Sequence, residues 1–429
     1  MISIPLILFG KLLSKLTRFF NLGDGSTWPG HIALSAKPNF IKEVLQSNPN
    51  IKVIIIAGTN GKTTTAALIA SSLKNNGKTV IQNQSGANLL NGIASTLILR
   101  CNRQGKLKQD FAIFEIDENN LTLILQQIKP DYLILLNLFR DQLDRYGEVN
   151  IVASNWTESI RSLTNKTTMI LNADDPQIAF LAKNTKAYTK YFGCSDVSIH
   201  HYTKAQAADS DHCPECGTQL AYRQIFFSHL GDWHCTNCGL KRPKLDMGKF
   251  PVYPLPGTYN KYNTHAAVLT LREIGIGEHD IENSFQDFKP AFGRQEIVNY
   301  KGKNVQIFLS KNPTSLNQSF QAISELGGNT VLFVLNDRIP DGRDISWIWD
   351  VDFPNIQSFK NILVAGDRVY DMALRLKYEN IDNFQTFASL EEAVNRGVNL
   401  IEKNETLFIL PTYSAMLDTR KILTGKKIL

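Results

Sequence analysis

From Ile51 onward the chain repeats one pattern: a short apolar run, a polar or glycine-rich turn, then a stretch of helical length. The first unit, IKVIIIAGTNGKTTTAALIASSLKNNG, predicts a buried strand, a loop at Gly58–Thr63 and a helix ending near Gly77. Further apolar runs at Lys78–Gln82, Phe111–Ile116, Tyr132–Leu136 and Thr168–Leu171 are spaced by helical-length segments. That alternation predicts an α/β domain with a mostly parallel sheet covered by helices. The sequence from about Ser195 to Lys249 breaks the rhythm and reads as an inserted module; α/β character resumes at Leu255–Ile276. Beyond Val298, strands are expected at Val305–Leu309, Thr330–Leu335, Asn361–Val364 and Thr406–Leu410. Helices are expected between them at Asn317–Leu326, Tyr370–Tyr378 and Leu390–Lys403. The plan is a lead-in over residues 1–50, a domain over 51–297 with an insertion at about 195–249, and a smaller C-terminal α/β domain over 298–429.

The first twenty residues, MISIPLILFGKLLSKLTRFF, begin apolar but are interrupted by Lys11, Lys15 and Arg18 and lack a small-residue cleavage site. They fit neither a signal peptide nor a spanning helix. An amphipathic helix is expected, with its apolar face packed on the body or, as the alternative, laid on a membrane surface. Composition adds little: 43% hydrophobic and 20% charged residues exclude a disordered chain, a collagen-like repeat and a coiled-coil rod. The net charge of +6 is spread along the chain and does not demand nucleic acid. Six cysteines, four of them in two tight pairs, suit a metal site in a reducing compartment, so a cytoplasmic protein is expected.

The candidate chemistry begins at Gly58-Thr59-Asn60-Gly61-Lys62-Thr63-Thr64. Between a buried strand and a helix, such glycines let backbone N–H groups wrap phosphate oxygens, and the helix N-terminus adds partial positive charge. Lys62 would bridge the β- and γ-phosphates and Thr63 would ligate Mg²⁺. Ile56 stands where the strict nucleotide loop has its first glycine, which marks a shortened variant. A merely connecting turn would not require Lys-Thr-Thr at the helix start. Glu115, at the end of the Phe111–Ile116 strand, is placed to complete a Mg²⁺ shell. The run Asn137–Glu148 follows another buried strand; a solvated turn is its competing reading.

Cys213-Pro-Glu-Cys216, eighteen residues, then Cys235-Thr-Asn-Cys238 has the spacing of a four-cysteine structural Zn²⁺ ribbon. A redox pair would need only one such motif, and a catalytic zinc would keep an open position. His212, His229 and His234 are expected to be surface or packing residues. Cys101 and Cys194 are expected to be buried small hydrophobes rather than nucleophiles.

Together GTNGKTTT, Glu115, NLFRDQLDRYG, the Leu171–Pro176 run LNADDP, and GTYNKYN at Gly257–Asn263 followed by Arg294 resemble the Mur ligase family across most of residues 51–300. That family forms amide bonds by phosphorylating a carboxylate with ATP and letting an amine attack the acyl phosphate. The resemblance implies that Asn260 and Asn172 lie near the adenine and that Arg294, at the junction with the last domain, touches the phosphates. Gln142 replaces a histidine usual in the amino-acid ligases of the family, and no lysine occurs from Tyr146 to Ile160, so the number of Mg²⁺ ions stays open. Only about fifty residues precede the loop, which argues against a UDP-linked precursor as substrate.

The inserted cysteines, the short lead-in, Lys311-Asn312-Pro313 and the aspartate-rich run Leu335–Asp350 are similar to one branch of that family, the ligase-like subunits of lipid II isoglutaminyl synthases. The branch implies a synthetase in a glutamine-hydrolysing amidotransferase heterodimer with a GatD-type glutaminase subunit, acting in peptidoglycan synthesis at the membrane surface. ATP would activate the α-carboxyl of D-glutamate in the lipid II stem peptide, and ammonia would convert it to D-isoglutamine. It further implies that an aspartate of the last domain completes the partner's Cys–His pair; Asp344 is the first choice and Asp341 the second. The competing reading of these aspartates is that they cap the helix beginning at Ser346. Two other functions remain: a self-sufficient Mur-type amino acid ligase, and a nucleotide-regulated binding module.

Overall fold

The computed structural model describes residues 4–19, 27–83, 87–140, 149–196, 209–290, 293–353, 356 and 359–425, which build two six-stranded sheets and a small hairpin. The first sheet holds β1 (Lys52–Ala57), β2 (Val80–Gln82), β3 (Phe111–Ile116), β4 (Tyr132–Leu135), β5 (Thr168–Asn172) and β6 (Tyr188–Phe192). Its order is β2-β3-β1-β4-β5-β6 and every pairing is parallel. The chain winds to one side of β1 and then crosses to the other, so the C-terminal ends of β1, β3 and β4 flank the switch point where such sheets gather ligands. Alternate residues of β1 feed two cores, as the period of two requires. Val53 and Ile55 pack with Ile93, Leu97 and Trp156 on one face. Ile54 and Ile56 pack on the other with Leu68 and Ile69 of α4 (Lys62–Asn75) and Ala266 of the helix Thr258–Ile274.

The second sheet contains β9 (Arg294–Tyr300), β10 (Lys303–Phe308), β11 (Thr330–Val334), β12 (Asn361–Ala365), β13 (Phe384–Thr386) and β14 (Thr406–Pro411), in the order β13-β12-β11-β14-β10-β9. It is parallel except for β9, which folds back on β10 through the tight turn at Lys301-Gly302. The boundary expected after residue 297 falls inside β9, whose charged and polar residues hide an edge strand from a hydrophobicity reading. Helices Pro313–Glu325 and Val369–Tyr378 cover one face, and Leu390–Leu400 and Tyr413–Thr424 the other.

The lead-in is helical: α1 (Ile4–Phe19), α2 (Trp28–Ala36) and α3 (Phe40–Gln46). Ile7, Ala33, Phe40, Ile41 and Val44 join the core of the first domain. The expectation that the apolar face of α1 packs on the body is overturned. Gly10, Ser14 and Thr17 face inward beside Ile7, while Ile4, Leu8, Phe9, Leu12 and Leu16 are exposed. No described helix is long and apolar enough to cross a membrane.

Candidate active site

The loop after β1 is bent by two glycines with positive φ, +143° at Gly58 and +91° at Gly61, the latter opening α4. A Cβ on Gly61 would lie 2.1 Å from Oδ1 of Asn263, so both the conformation and the close approach call for glycine. The end of β4 clamps this loop. The Thr59 N–H donates to the Asn137 carbonyl at 3.0 Å, and the Asn60 N–H donates to Asn137 Oδ1 at 2.9 Å. The Asn137 amide donates back to the Asn60 carbonyl at 3.1 Å, and the Thr59 hydroxyl to the Phe139 carbonyl at 3.1 Å. Asn137 is therefore a positioning residue for the loop. Residues 141–148 of the same run, Gln142 among them, lie outside the described residues.

Charge concentrates where the loop meets β3. The Thr63 hydroxyl donates to Glu115 Oε2 at 2.7 Å, and Asn83 brackets Glu115 by bonding both its N–H (3.0 Å) and its carbonyl (2.9 Å). Burial pushes the Glu115 carboxyl above its ordinary range, opposed by the Thr63 hydrogen bond and by the Arg294 and Lys62 cations. Lys62 donates to the carbonyls of Gly58 and Thr59 and pairs with Glu118 at 3.4 Å. Burial also acts on Glu118, but Lys62 and Lys311 outweigh it and hold that carboxyl low. Asn83 gave no signal in the sequence, whereas Asn137 heads the run Asn137–Glu148 already singled out and Glu118 lies just past the strand end at Glu115, neither with a role of its own.

The opposite wall comes from the second domain. Arg294 opens β9; burial pulls its guanidinium down from its usual range and Glu115 pulls it back up. Its neighbour Gln295 has a left-handed backbone, φ +63°, and donates to Tyr259 Oη, a strained conformation of the kind held at functional sites. Asn312 caps the helix Pro313–Glu325 and reaches Asn60 at 3.5 Å. Between the walls lies an open cleft lined by Asn60, Gly61, Thr63 and Thr64 on one side, Tyr259, Asn260 and Asn263 at its base, and Arg294, Ser315 and Gln318 on the other. The buried amide nitrogen of Asn60 has no protein partner, as expected of a group facing a ligand.

Of the two asparagines expected near the adenine, Asn260 lines the cleft and Asn172 does not. Asn172 is fully buried, with its amide on the Leu136 carbonyl (2.8 Å) and its oxygen on the Asp174 N–H (3.0 Å). It ties β5 to β4 from behind. Its neighbours anchor the inserted module. Asp174 accepts from Arg242 Nε (2.6 Å), the Cys194 N–H (2.8 Å) and Tyr262 Oη (2.6 Å), and burial raises its carboxyl to about 6 despite Arg242. Asp175 caps the helix Pro176–Leu181.

The module carries the antiparallel hairpin β7 (Ala221–Phe227) and β8 (Leu230–His234); residues 197–208 of it are outside the described residues. The sulfurs of Cys213, Cys216, Cys235 and Cys238 all lie within 4.8 Å of one another, with Cys213–Cys238 at 3.6 Å and Cys216–Cys235 at 3.5 Å. A tetrahedron of Zn–S bonds of about 2.3 Å has S···S edges of about 3.75 Å, so this donor set fits zinc. The histidines stand outside the cluster, with His229 fully buried against Phe139, 4.7 Å between ring centroids. Cys101 and Cys194 are buried, and desolvation raises both thiols to about 11.

The two aspartates singled out in the last domain differ in surroundings. Asp341 is buried and accepts from the Ser414 N–H (2.7 Å) and hydroxyl, which turns it inward as a brace for the helix Tyr413–Thr424. Asp344 is exposed, and Oδ1 accepts from the Ser346 N–H at 2.8 Å at the start of the 3-10 turn Ser346–Asp350. The N-cap of that turn is Ile345, with no side-chain cap, so the capping role that competed with catalysis is reduced to this one local bond two residues along the chain.

The architecture is that of the Mur ligases. A pseudomurein peptide ligase type C from Methanothermus fervidus superposes with a TM-score of 0.67 at 22% identity, over 90% of this chain and 81% of that one. A MurF ligase from Thermotoga maritima in complex with ADP does so at 0.62 and 13% identity, over 91% and 83%. The Mur ligase middle domain description matches residues 56–271, and the MurT ligase C-terminal description matches residues 309–416. Two relatives named lipid II isoglutaminyl synthase (glutamine-hydrolyzing) subunit MurT are similar over most of their length. That of Staphylococcus aureus strain COL is 34% identical with 87% of each chain covered. That of Streptococcus pneumoniae R6 is 33% identical with 98% of this chain and 97% of the relative covered. The chain belongs to the Mur ligase family, in its MurT branch. It is accordingly an ATP-dependent ligase, of a family whose reaction uses ATP and Mg²⁺.

Proposed function

We propose that this chain is the synthetase subunit of a glutamine-dependent lipid II isoglutaminyl synthase. The observation that carries the reading is the cleft between the domains, where the phosphate loop with Glu115 faces Arg294 from a second domain of MurT type. The γ-phosphoryl group passes from ATP to the α-carboxylate of D-glutamate in the lipid II stem peptide: the bond to the ADP oxygen breaks and a carboxyl O–P bond forms. Ammonia then attacks the acyl carbon, the C–O bond to phosphate breaks, and nitrogen loses a proton to leave D-isoglutamine and phosphate. The backbone of Gly58–Thr64 and the start of α4 cradle the phosphates, and Lys62 neutralises the charge that grows on the β–γ bridge. Thr63 and Glu115 would hold Mg²⁺, which supplies charge neutralisation on the phosphates. Arg294 binds the transferring group from the opposite wall, and Asn260 orients the nucleotide base.

The four cysteines would hold a structural Zn²⁺ that stiffens the module docked on Asp174. Ammonia comes from a GatD-type glutaminase. Asp344, exposed near the start of the 3-10 turn, is the residue we assign to orient the histidine of the partner's Cys–His pair; the inward hydrogen bonds of Asp341 make it the weaker candidate. The test is mass spectrometry of lipid II after incubation with ATP and NH₄⁺ and this chain alone, then with glutamine and the glutaminase. A loss of about one dalton in both supports the reading; unchanged lipid II in both, with ATP still bound, returns the amino acid ligase and binding-module readings.

A further inference from the structure

We infer that the outward face of α1 together with Trp28 is a docking surface for an anionic lipid bilayer. At about 100° per residue, counted from Ile4, the exposed residues Ile4, Leu8, Leu12, Leu16 and Phe9 span an arc from about 0° to 140°. The buried residues Thr17, Gly10, Ser14 and Ile7 occupy about 220° to 300°. The helix thus turns its small and polar residues to the protein and its large apolar ones to the outside. A helix stabilised by the body alone would do the reverse. Gly10 explains how: its backbone sits against Ile98 of α5 (Leu90–Arg100) and Pro29 of α2, close contacts that a larger side chain would prevent. The orientation is fixed by close packing against two helices and by the bond from Lys11 Nζ to the Cys101 carbonyl.

The charge pattern selects the occupant. The helix has Lys11, Lys15 and Arg18 and no acidic residue; Lys11 is turned back to the Cys101 carbonyl, while Lys15, at about 20°, is exposed within the apolar arc between Ile4 and Leu8. An apolar face that carries an exposed cation and no acidic residue is complementary to acyl chains beneath anionic headgroups. Trp28 opens α2, next to Pro29 against Gly10, and is 58% exposed, as an aromatic anchor at headgroup level would be. The surface rests on the proposed function only for its purpose, which is to hold the cleft at the level of a lipid-linked substrate.

The experiment is flotation of the full chain with vesicles of phosphatidylcholine, with and without phosphatidylglycerol, none containing lipid II. The wild type should bind the anionic vesicles at least tenfold more tightly than the neutral ones. Phe9→Glu with Leu12→Glu, both solvent-facing, should weaken that binding at least tenfold without lowering the melting temperature. Equal binding by wild type and variant overturns the proposal. So does a wild type that ignores anionic vesicles but self-associates in sedimentation velocity when the variant does not, since a second copy would then cover the face. Ammonia-dependent amidation of detergent-dispersed lipid II should be equal in both proteins. Its absence in both would sink the proposed reaction while leaving the vesicle result to decide the surface.

Discussion

Replacing Gly61 by alanine tests the phosphate loop at its most constrained point. At φ +91° an alanine costs about 1–3 kcal/mol of backbone strain. Its Cβ would stand 2.1 Å from Asn263 Oδ1, so Asn263 must leave. That breaks the 3.1 Å bond from its amide to Asn260 Oδ1, worth about 1 kcal/mol. The total is about 2–4 kcal/mol, or roughly 4–16 °C in melting temperature for a domain of this size. Gly77→Ala is the control, because Gly77 also has positive φ, +72°, but nothing stands within 4 Å of its Cβ. It should cost only about 1–2 kcal/mol. Because Asn260 and Asn263 both line the cleft, Gly61→Ala should also weaken ATP binding at least about tenfold in calorimetry, a loss of about 1.4 kcal/mol, whereas Gly77→Ala should not. Equal melting losses in the two variants, with ATP affinity unchanged in both, would refute the claim that this glycine shapes the nucleotide site.

One zinc per chain should be found by elemental analysis, and Cys216→Ser should abolish it and destabilise the first domain by at least ~2 kcal/mol in chemical denaturation; a metal-free wild type of normal stability contradicts the ribbon. Asp344→Asn should lower glutamine-dependent amidation about a hundredfold or more and leave ammonia-dependent amidation unchanged, whereas equal loss in both assays would place Asp344 outside the partner's site. His265 is buried between the Gly193 carbonyl (2.7 Å) and Tyr253 Oη (2.9 Å), and burial lowers its pKa to about 4. The unfolded chain therefore takes up this proton first as pH falls below about 6.5, so the stability held by neutral His265 is present above that pH and is lost toward pH 4. The stability difference between wild type and His265→Gln should shrink by about 1.4 kcal/mol per pH unit from 6 to 5; a constant difference refutes the assignment.

What the sequence revealed depended on how much of each signal was local. The strand Phe111–Ile116 and the loop Gly58–Thr64 were legible because an apolar run and a glycine-lysine turn are self-contained, and the four cysteines because their spacing encodes the metal geometry. Strands β6 and β9 were missed because edge positions tolerate sequences such as YTKYF and RQEIVNY, with no apolar run. Asn172 was misplaced because the order of residues shows that an asparagine follows β5 but not that its amide is spent on Leu136 and Asp174. Periodicity identified the amphipathic character of α1 correctly and its orientation wrongly. A moment gives the direction of the apolar face relative to the helix, while Gly10 and its neighbours on α5 and α2 decide which side is buried. The support of the site by Asn83, Glu118 and Asn137 is tertiary, arising only when β1, β3 and β4 lie side by side.

The central claim is that this cleft passes a phosphoryl group from ATP to a carboxylate of lipid II. Lipid II carrying ¹⁸O in the α-carboxyl of D-glutamate, incubated with the chain, ATP and NH₄⁺, settles it through the mass of the phosphate released. An acyl phosphate must leave one labelled oxygen on phosphate for each amide formed, and Lys62→Ala should give neither labelled phosphate nor amide. Amide formed with unlabelled phosphate, or ATP hydrolysed without amide, would contradict the account.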